Sequence, residues 1–563
     1  MLIMDKSLKV IDFFCGAGGF SEGFRQQGFS IIKGIDFWQN ALDSHNLNHH
    51  LHDTTQNVLD FWGKSSVDVT DAIKLPDAEV IIGSPSCVSF SMSNRAGKAD
   101  KTDGVKLIKA FLRVIAIQKS KPNSALKAWY MENVPESQSH IKAQYTFEEL
   151  NLKEWALSLK KNPKDIVLYI KGEVLNAADY GAPQNRRRYV VGEWIETGEY
   201  LHPEKTVAKQ ITVGQIRSSI PAPNFKLANN PCEYSFTDPN YPSLQLSLNE
   251  MTDHFYDTGL YKIEWEKAEH CKVNHPYMGK MSFPEIETRS SRTIMATRSA
   301  STREAIIFKS EYNRVGNGEY RLPTIREIAT LMGYPYCYQF VGSESQKWKQ
   351  IGNSVSPHLS AALAKAIRDK AGLAAVFLPN FDKFKGLNEK VFNLNTFSER
   401  KFDNPKRRAI NSRFRRHPLK QGNMTVDLLN YHPIKNDSVG KKWYVAAFAG
   451  TGLNHKVKVF NRNDINQIEK ILVGHFPQFH DFKMRIFELD IPKINSNNQA
   501  IYEEDLNLED IKNPINRVKE IKKIIQTFSV EQINKPVPAC DLFPKGFVPV
   551  SQIMASYALH KLT

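Results

Sequence analysis

Lys9-Val10-Ile11-Asp12-Phe13-Phe14-Cys15-Gly16-Ala17-Gly18-Gly19-Phe20 decides the fold. Its apolar first half, Lys9–Phe14, reads as a strand, and Ser21–Gln27 reads as the helix after a glycine turn. Glycine tolerates the positive backbone angles of a tight strand-to-helix turn and lets a ligand approach the main chain. The same alternation continues outward. Ile31–Ile35, Glu79–Ile82, Ala128–Met131 and Tyr189–Val191 read as strands, and Val105–Gln118 as a long helix. Such alternation predicts an α/β fold built on a doubly wound, mainly parallel sheet with helices on both faces. Ligands of such sheets lie at the carboxyl ends of the strands.

A chain of 563 residues exceeds one ordinary core, so two or three domains are expected. The 24% of charged residues beside 41% hydrophobic ones is the balance of a soluble globular protein. The net charge of +15 fits a polyanionic partner and, equally, an unspecialised basic surface. Six cysteines, at 15, 87, 232, 271, 337 and 540, form no CxxC pair, which argues against a zinc knuckle or a disulfide framework. His475, His480 and Asp481 lie close in sequence without the spacing of a metal site, and no metal is expected. The first residues lack the apolar core of a signal peptide, and no run reaches membrane-spanning length. A cytoplasmic chain with no membrane partner is the expectation.

Residues 1–194 read as the catalytic and cofactor-binding domain. Residues 195–320, with prolines at 221, 223, 231, 239, 242, 276 and 284, have poor periodicity and suggest a smaller irregular domain. Helical patterns at Thr324–Met332 and Val355–Lys370 return to the first domain over 321–377. Residues 378–563 form an additional C-terminal α+β domain. It begins with a basic segment spanning Lys406-Arg407-Arg408 and Arg413-Phe414-Arg415-Arg416-His417. Strands are predicted at Trp443–Phe448 and Lys456–Phe460. A helix is predicted over Ile515–Phe528, with Val518, Ile521, Ile525 and Phe528 on one face. A non-catalytic DNA-binding or partner-binding module is expected there, with a fused nuclease as the weaker alternative.

Asp36-Phe37 closes the second strand, where a carboxylate can hold ribose hydroxyls and an aromatic ring can stack on adenine. Asp68 is placed to meet the adenine edge, and Asp53 competes for that task. This pattern points to an adenosine cofactor without choosing among them. Ile81-Ile82-Gly83-Ser84-Pro85-Ser86-Cys87-Val88-Ser89-Phe90-Ser91 ends the third strand on a thiol. A lone cysteine at a strand end is more often buried filler than a nucleophile. Glu132, at the end of the next strand, and Gln184-Asn185-Arg186-Arg187-Arg188, just before another, change those odds. Arg186 and Arg188 fall on one face of that strand, leaving Arg187 to solvent or phosphate.

Over roughly residues 8–370 these segments resemble the cytosine-C5 DNA methyltransferase family, in the family's usual order. Asp12–Phe20 is similar to its first cofactor motif, Gly83–Ser91 to its nucleophile loop, and Glu132-Asn133-Val134 to its Glu-Asn-Val. Gln184–Arg188 matches Gln-x-Arg-x-Arg. Arg321-Leu322-Pro323-Thr324-Ile325-Arg326-Glu327 to Gly333-Tyr334-Pro335 resembles the segment that organises the recognition domain. Gln350-Ile351-Gly352-Asn353-Ser354-Val355 resembles the closing motif. Two positions depart. Ser86 stands where the family usually has Pro, with Pro85 one position earlier, and Val88 stands where it has Gln.

The resemblance implies a Rossmann-like methyltransferase fold and S-adenosylmethionine held by Phe14, Gly16, Gly18, Gly19, Asp36, Phe37, Asp68, Asn353 and Val355. It implies Cys87 as nucleophile, Glu132 as acid partner of the base and Arg188 as the charged group beside them. Pro85, Asn133, Gln184 and Arg186 have supporting roles. Residues 195–320 take the place of the target-recognition domain, with Arg292, Thr293 and Ile294 against DNA; an ordinary strand pair explains Thr293-Ile294 equally well. The expected substrate is double-stranded DNA with the target cytosine flipped out, bound by a monomer. A cognate restriction endonuclease is an optional partner. An RNA cytosine methyltransferase of the same fold is one rival, against which the long 195–320 region speaks. A catalytically silent DNA-binding regulator is the other.

Overall fold

Alternate residues of the first strands face opposite ways, and the sequence supplies two apolar sides. The computed structural model describes residues 7–63, 68–86, 101–224, 235–247, 250–273, 279–300, 302–376, 399–400, 402, 416–421, 424–430, 432–434, 443–449, 456–489 and 514–563. The chain divides into two units, Met1–Arg400 and Lys401–Thr563.

The first unit opens with β1 (Lys9–Phe13), α1 (Gly19–Gln26), β2 (Ser30–Ile35), α2 (Gln39–His49), α3 (Thr70–Ile73), β3 (Val80–Gly83), α4 (Thr102–Ser120) and β4 (Ala128–Asn133). A small hairpin, β5 (Gln144–Thr146) and β6 (Ile166–Tyr169), brackets α5 (Lys153–Ser158), and β7 (Lys171–Asn176) and β8 (Arg187–Trp194) follow. The six-stranded sheet has the order β2-β1-β3-β4-β8-β7. The first four strands pair in parallel, while β8 pairs antiparallel with both β4 and β7. Tyr189–Val191, read simply as one more strand of the alternation, thus belongs to the one strand that runs backwards. The cause is the β7–β8 hairpin, whose short connection can only return antiparallel.

Ile11, Phe13, Ile81, Trp129 and Met131 pack on one face against α4, through Ile108, Phe111, Leu112 and Ile115. Val10, Val80, Ile82, Ala128 and Tyr130 pack on the other, against Phe20 and Phe24 of α1 and Leu359, Leu363 and Ile367 of α10 (Pro357–Lys370). The period-two alternation of a strand produces both cores. Gly23 lets α1 and α10 cross closely, since a Cβ there would meet Ala361 N at 2.4 Å.

The stretch between β8 and α10 holds, among the described residues, α6 (Val213–Ser219), α7 (Lys262–Val273), two short strand pairings of two or three residues each, α8 (Ile325–Met332) and α9 (Glu344–Asn353). Thr324 caps α8 by accepting from Glu327 N while the Glu327 side chain accepts from Thr324 N. Arg321, fully buried, is forked between Glu327 (2.7 Å) and Glu311 (2.6–2.7 Å). Burial pushes the Glu327 carboxyl up, but the Arg321 charge and hydrogen bonds outweigh it and hold the group down at about 2.

In the second unit, strands Arg416–Gln421, Met424–Leu429, Tyr444–Ala449 and Lys456–Val459 form an antiparallel sheet in sequence order. The helix Val550–His560 is buried almost throughout and packs on the first three of these strands. Helix Pro514–Gln526 turns Val518, Ile521 and Ile525 into the same core, with Phe528 just beyond its end, the face its sequence predicts. No helix among the described residues is long and apolar enough to cross a membrane.

Candidate active site

Glu132 is the penultimate residue of β4, a strand with every residue buried, so its side chain lies at the sheet's carboxyl edge with only 4% exposure. A buried carboxylate is costly without a partner. The antiparallel course of β8 supplies one: Glu132 pairs with Val190 and Asn133 with Tyr189, so β8 begins beside the point where β4 ends. Arg188 Nε therefore reaches Glu132 Oε1 at 2.8 Å. Ser84 Oγ, one residue past β3, donates to Oε2 at 2.6 Å. Asn133 Nδ2 donates to Pro85 O at 3.0 Å and ties the start of the loop after β3 to the end of β4. Cys87 and Val88, the next part of that loop, lie outside the described residues.

Arg186 is buried, Arg187 exposed and Arg188 nearly buried, the one-face arrangement expected for 186 and 188. Arg186 donates to Ile294 O (3.2 Å), Gly352 O (3.0 Å) and Ser354 O (2.9 Å). Gln184 Oε1 accepts from Ile294 N at 2.8 Å. One turn thus fastens residues 291–294 to the end of α9. Thr293 is half-buried, and its hydroxyl donates to Asn185 O (2.7 Å). Ile294 is buried in the core around α8, and Arg292 pairs with Glu285 (2.7 Å). The Arg292 and Ile294 side chains are thereby engaged within the protein.

The glycine turn lies at the end of β1. Phe14, Gly16 and Gly18 all have positive φ (54°, 55° and 92°). A Cβ on Gly18 would meet Tyr338 Oη at 2.5 Å, and one on Gly19 would meet Val355 O at 2.3 Å. These two glycines are required by the protein's own packing. Gly16 is different: among the described residues the nearest atom to its Cβ position is Phe14 O at 4.0 Å, so that side is open to them. Asp36 faces the turn, accepting from Gly16 N (2.9 Å) and Trp38 N (2.8 Å). Burial raises its pKa. A carboxylate offers about four lone-pair positions, so Asp36 can still accept from two hydroxyls. Phe37 next to it is 71% exposed, so its ring face is accessible among the described residues.

Asp68 and Asp53 are separated by their contacts. Asp53 spends both oxygens inside the protein, on Lys33 Nζ (3.0 Å) and Gly34 N (2.7 Å). Asp68 is partly exposed, and its carbonyl accepts from Arg113 Nη2 at 2.6 Å. Asn353 is exposed at the end of α9, whereas Val355 is buried.

Two groups of site residues escape a reading of the sequence. Ser84 is one; its signal was a polar side chain at the exit of a wholly apolar strand. The other lies beneath the glycine turn. Ser21 Oγ donates to Asp12 Oδ2 (2.7 Å) and meets His45 Nε2 (3.0 Å), and the His45 and His49 rings lie 4.7 Å apart. Burial pushes Asp12 up to about 8 and His49 down to about 3, so this network is uncharged near neutrality.

A family model described as C-5 cytosine-specific DNA methylase matches residues 8–369. A type II methyltransferase of Haemophilus parahaemolyticus is 28% identical over 65% of this chain and 88% of its own length. Another, from Neisseria gonorrhoeae, is 27% identical over 68% of this chain and 90% of its own. A solved Escherichia coli structure, titled a putative DNA modification methyltransferase encoded within a prophage, aligns with 65% of this chain and all of its own. Its identity is 20% and its TM-score 0.43.

Proposed function

Because the chain belongs to the C-5 cytosine-specific DNA methylase family and is a DNA cytosine methyltransferase, we propose that it methylates C5 of a flipped cytosine through a covalent Cys87 adduct. The observation that carries this reading is the Glu132 carboxyl, buried at the sheet's carboxyl edge between Arg188 and Ser84.

Cytosine C5 is too weak a nucleophile to take a methyl group unaided. Addition of the Cys87 thiolate to C6 forms a C–S bond and pushes the ring electrons toward C5 and N3. Glu132 meets N3 and the exocyclic amine and supplies the proton that N3 gains. Arg188 keeps Glu132 in place and adds positive charge where the thiolate must form. C5 then takes the methyl group, whose sulfonium donor would leave as a neutral thioether; C5 loses its own proton to a base, the C–S bond breaks to release Cys87 as thiolate, and N3 returns its proton to Glu132. The C6 atom is covered in stacked DNA, so the base has to leave the helix first.

Methyltransferases of this kind generally use S-adenosylmethionine, which supplies an electrophilic methyl group. The residues fit it: Gly16 leaves open space by its backbone, Asp36 keeps two acceptor positions, and Phe37 offers an exposed ring. Asp36 would take the ribose hydroxyls, Phe37 the adenine face and Asp68 its edge. Phe14, Gly18, Gly19, Asn353 and Val355 shape the same end of the sheet.

Residues 195–320 serve as the target-recognition domain between two catalytic segments, 1–194 and 321–377. Residues 378–563 serve as a non-catalytic accessory module. The substrate is duplex DNA, and the enzyme works as a monomer beside an optional cognate endonuclease. The test is methyl transfer by the full chain to duplex DNA and to tRNA, followed by bisulfite sequencing of the DNA. Methylation at cytosines in one recurring DNA sequence is expected. Transfer to tRNA alone would overturn the substrate assignment.

A further inference from the structure

Ser84 holds the second oxygen of Glu132, and its chemistry differs from that of Arg188. A guanidinium only donates hydrogen bonds, whereas a hydroxyl donates and accepts. The two partners therefore respond differently when Glu132 changes protonation state. As a carboxylate, Glu132 accepts from Ser84 Oγ across the observed 2.6 Å. With a proton on Oε2, the same bond reverses: the carboxylic acid donates and Ser84 Oγ accepts. When the base enters, turning that O–H about its C–O bond presents the proton to N3 while Ser84 Oγ returns to donating to Oε2, so only the hydrogen moves and the carboxyl stays where it was.

The backbone around Ser84 is suited to this. Ser84 N donates to Phe13 O at 3.1 Å, which extends the β1–β3 pairing by one residue. Pro85 O, next in the chain, is fixed by Asn133 Nδ2. The hydroxyl thus projects from main chain anchored on β1 and on β4. Arg188, on the opposite oxygen, fixes the second end of the carboxyl at 2.8 Å. Each oxygen retains a further lone-pair direction for the base.

We propose that Ser84 is a positioning residue for the methyl-transfer reaction. It holds Glu132 in one place through both protonation states, so that the carboxyl exchanges a proton with N3 of cytosine without moving. The inference rests on the assignment of Glu132 as the N3 partner.

The test is single-turnover methylation of duplex DNA by the full-length Ser84→Ala, Ser84→Thr, Ser84→Val, Glu132→Gln and Ser84→Ala/Glu132→Gln variants. Loss of a hydrogen bond to a charged group predicts a drop in rate of about 10-fold or more for Ser84→Ala. KM for DNA and for S-adenosylmethionine should stay within about 2-fold. Thr and Val have the same shape, so a faster Thr variant reports the hydroxyl itself even if Ala perturbs folding. In the Glu132→Gln background, Ser84→Ala should change the rate by less than about 2-fold, because the group it acts through is gone. Equal rates for the Thr and Val variants, or the same Ser84→Ala loss in both backgrounds, would overturn the proposal while leaving Glu132 as the base's partner. Near-normal turnover in Glu132→Gln alone would instead remove the assignment on which it rests.

Discussion

Two buried carboxyl groups stand on neighbouring parts of one sheet, Asp12 on β1 and Glu132 on β4, and their surroundings are opposite. Asp12 meets a serine hydroxyl and lies near Asp36, with no cation bonded to it among the described residues. Burial leaves it protonated near neutrality. Glu132 is equally enclosed but meets the guanidinium of Arg188. The difference originates in strand direction. β1 is flanked by parallel strands, which end together, while β4 is flanked by β8, which starts where β4 ends. A strand running backwards delivers a cation to the carboxyl edge, and burial alone delivers none.

Breaking the contrast at Glu132 should have the largest effect. Glu132→Gln keeps the side-chain size and removes the proton partner, so turnover should fall by about 10²–10⁴-fold while cofactor affinity holds. Stopped assays at saturating DNA and S-adenosylmethionine check this, and a loss below about threefold would mean another group does the work. Removing the cation instead, by Arg188→Met, leaves the Glu132 carboxylate buried with the Ser84 hydroxyl but without a counter-charge. Breaking a buried pair costs about 3–5 kcal/mol. A denaturant melt should show that loss together with a fall in turnover.

Asp36, a part-buried carboxyl that accepts from Gly16 N at the glycine turn, stands on the cofactor side. Asp36→Ala should weaken S-adenosylmethionine by about 10–100-fold, the worth of one or two hydrogen bonds to a charged group, with DNA affinity nearly unchanged. Titration calorimetry with cofactor alone reads the effect, and an unchanged affinity would remove the ribose assignment.

The smallest effect belongs to Asp12. Its pKa is raised from the ordinary carboxyl value to about 8, so the native state keeps a proton that the unfolded chain releases near pH 4. Stability is therefore lost as pH rises through that window. Asp238, pushed up to about 7 by burial, acts in the same sense at lower pH. His49, pushed down to about 3, acts oppositely, but only below its ordinary value of 6.5. Between pH 7 and 8 the Asp12 contribution stands out. Asp12→Asn should flatten the decline in melting temperature over that interval, and an unaltered slope would place the proton elsewhere.

Much of the site was legible because its residues sit where apolar runs stop. The glycine turn, Asp36, Glu132 and the Gln184–Arg188 turn each abut a strand that composition alone reveals. The direction of β8 was not legible, since side-chain alternation is the same in parallel and antiparallel strands. Nor was α2. Its sequence, Gln39–His49, shows no apolar stripe because Ser44, His45 and His49 are among the side chains it buries. A helix that packs through polar groups hides from hydrophobic periodicity. The role of Ser84 is hidden for a related reason: it depends on a partner 48 residues away.

Methylation by this route requires a covalent bond between Cys87 and the target base. Duplex DNA carrying 5-fluorocytosine at the methylated position tests it, because the fluorine at C5 cannot leave as a proton does and the C–S bond has no route to break. With S-adenosylmethionine present, a one-to-one complex of protein and DNA that survives denaturation is expected. Its mass should include the transferred methyl group, and it should be absent from a folded, cofactor-binding Cys87→Ser variant. An active wild-type enzyme that forms no such complex, or a Cys87→Ser variant that does, would contradict it.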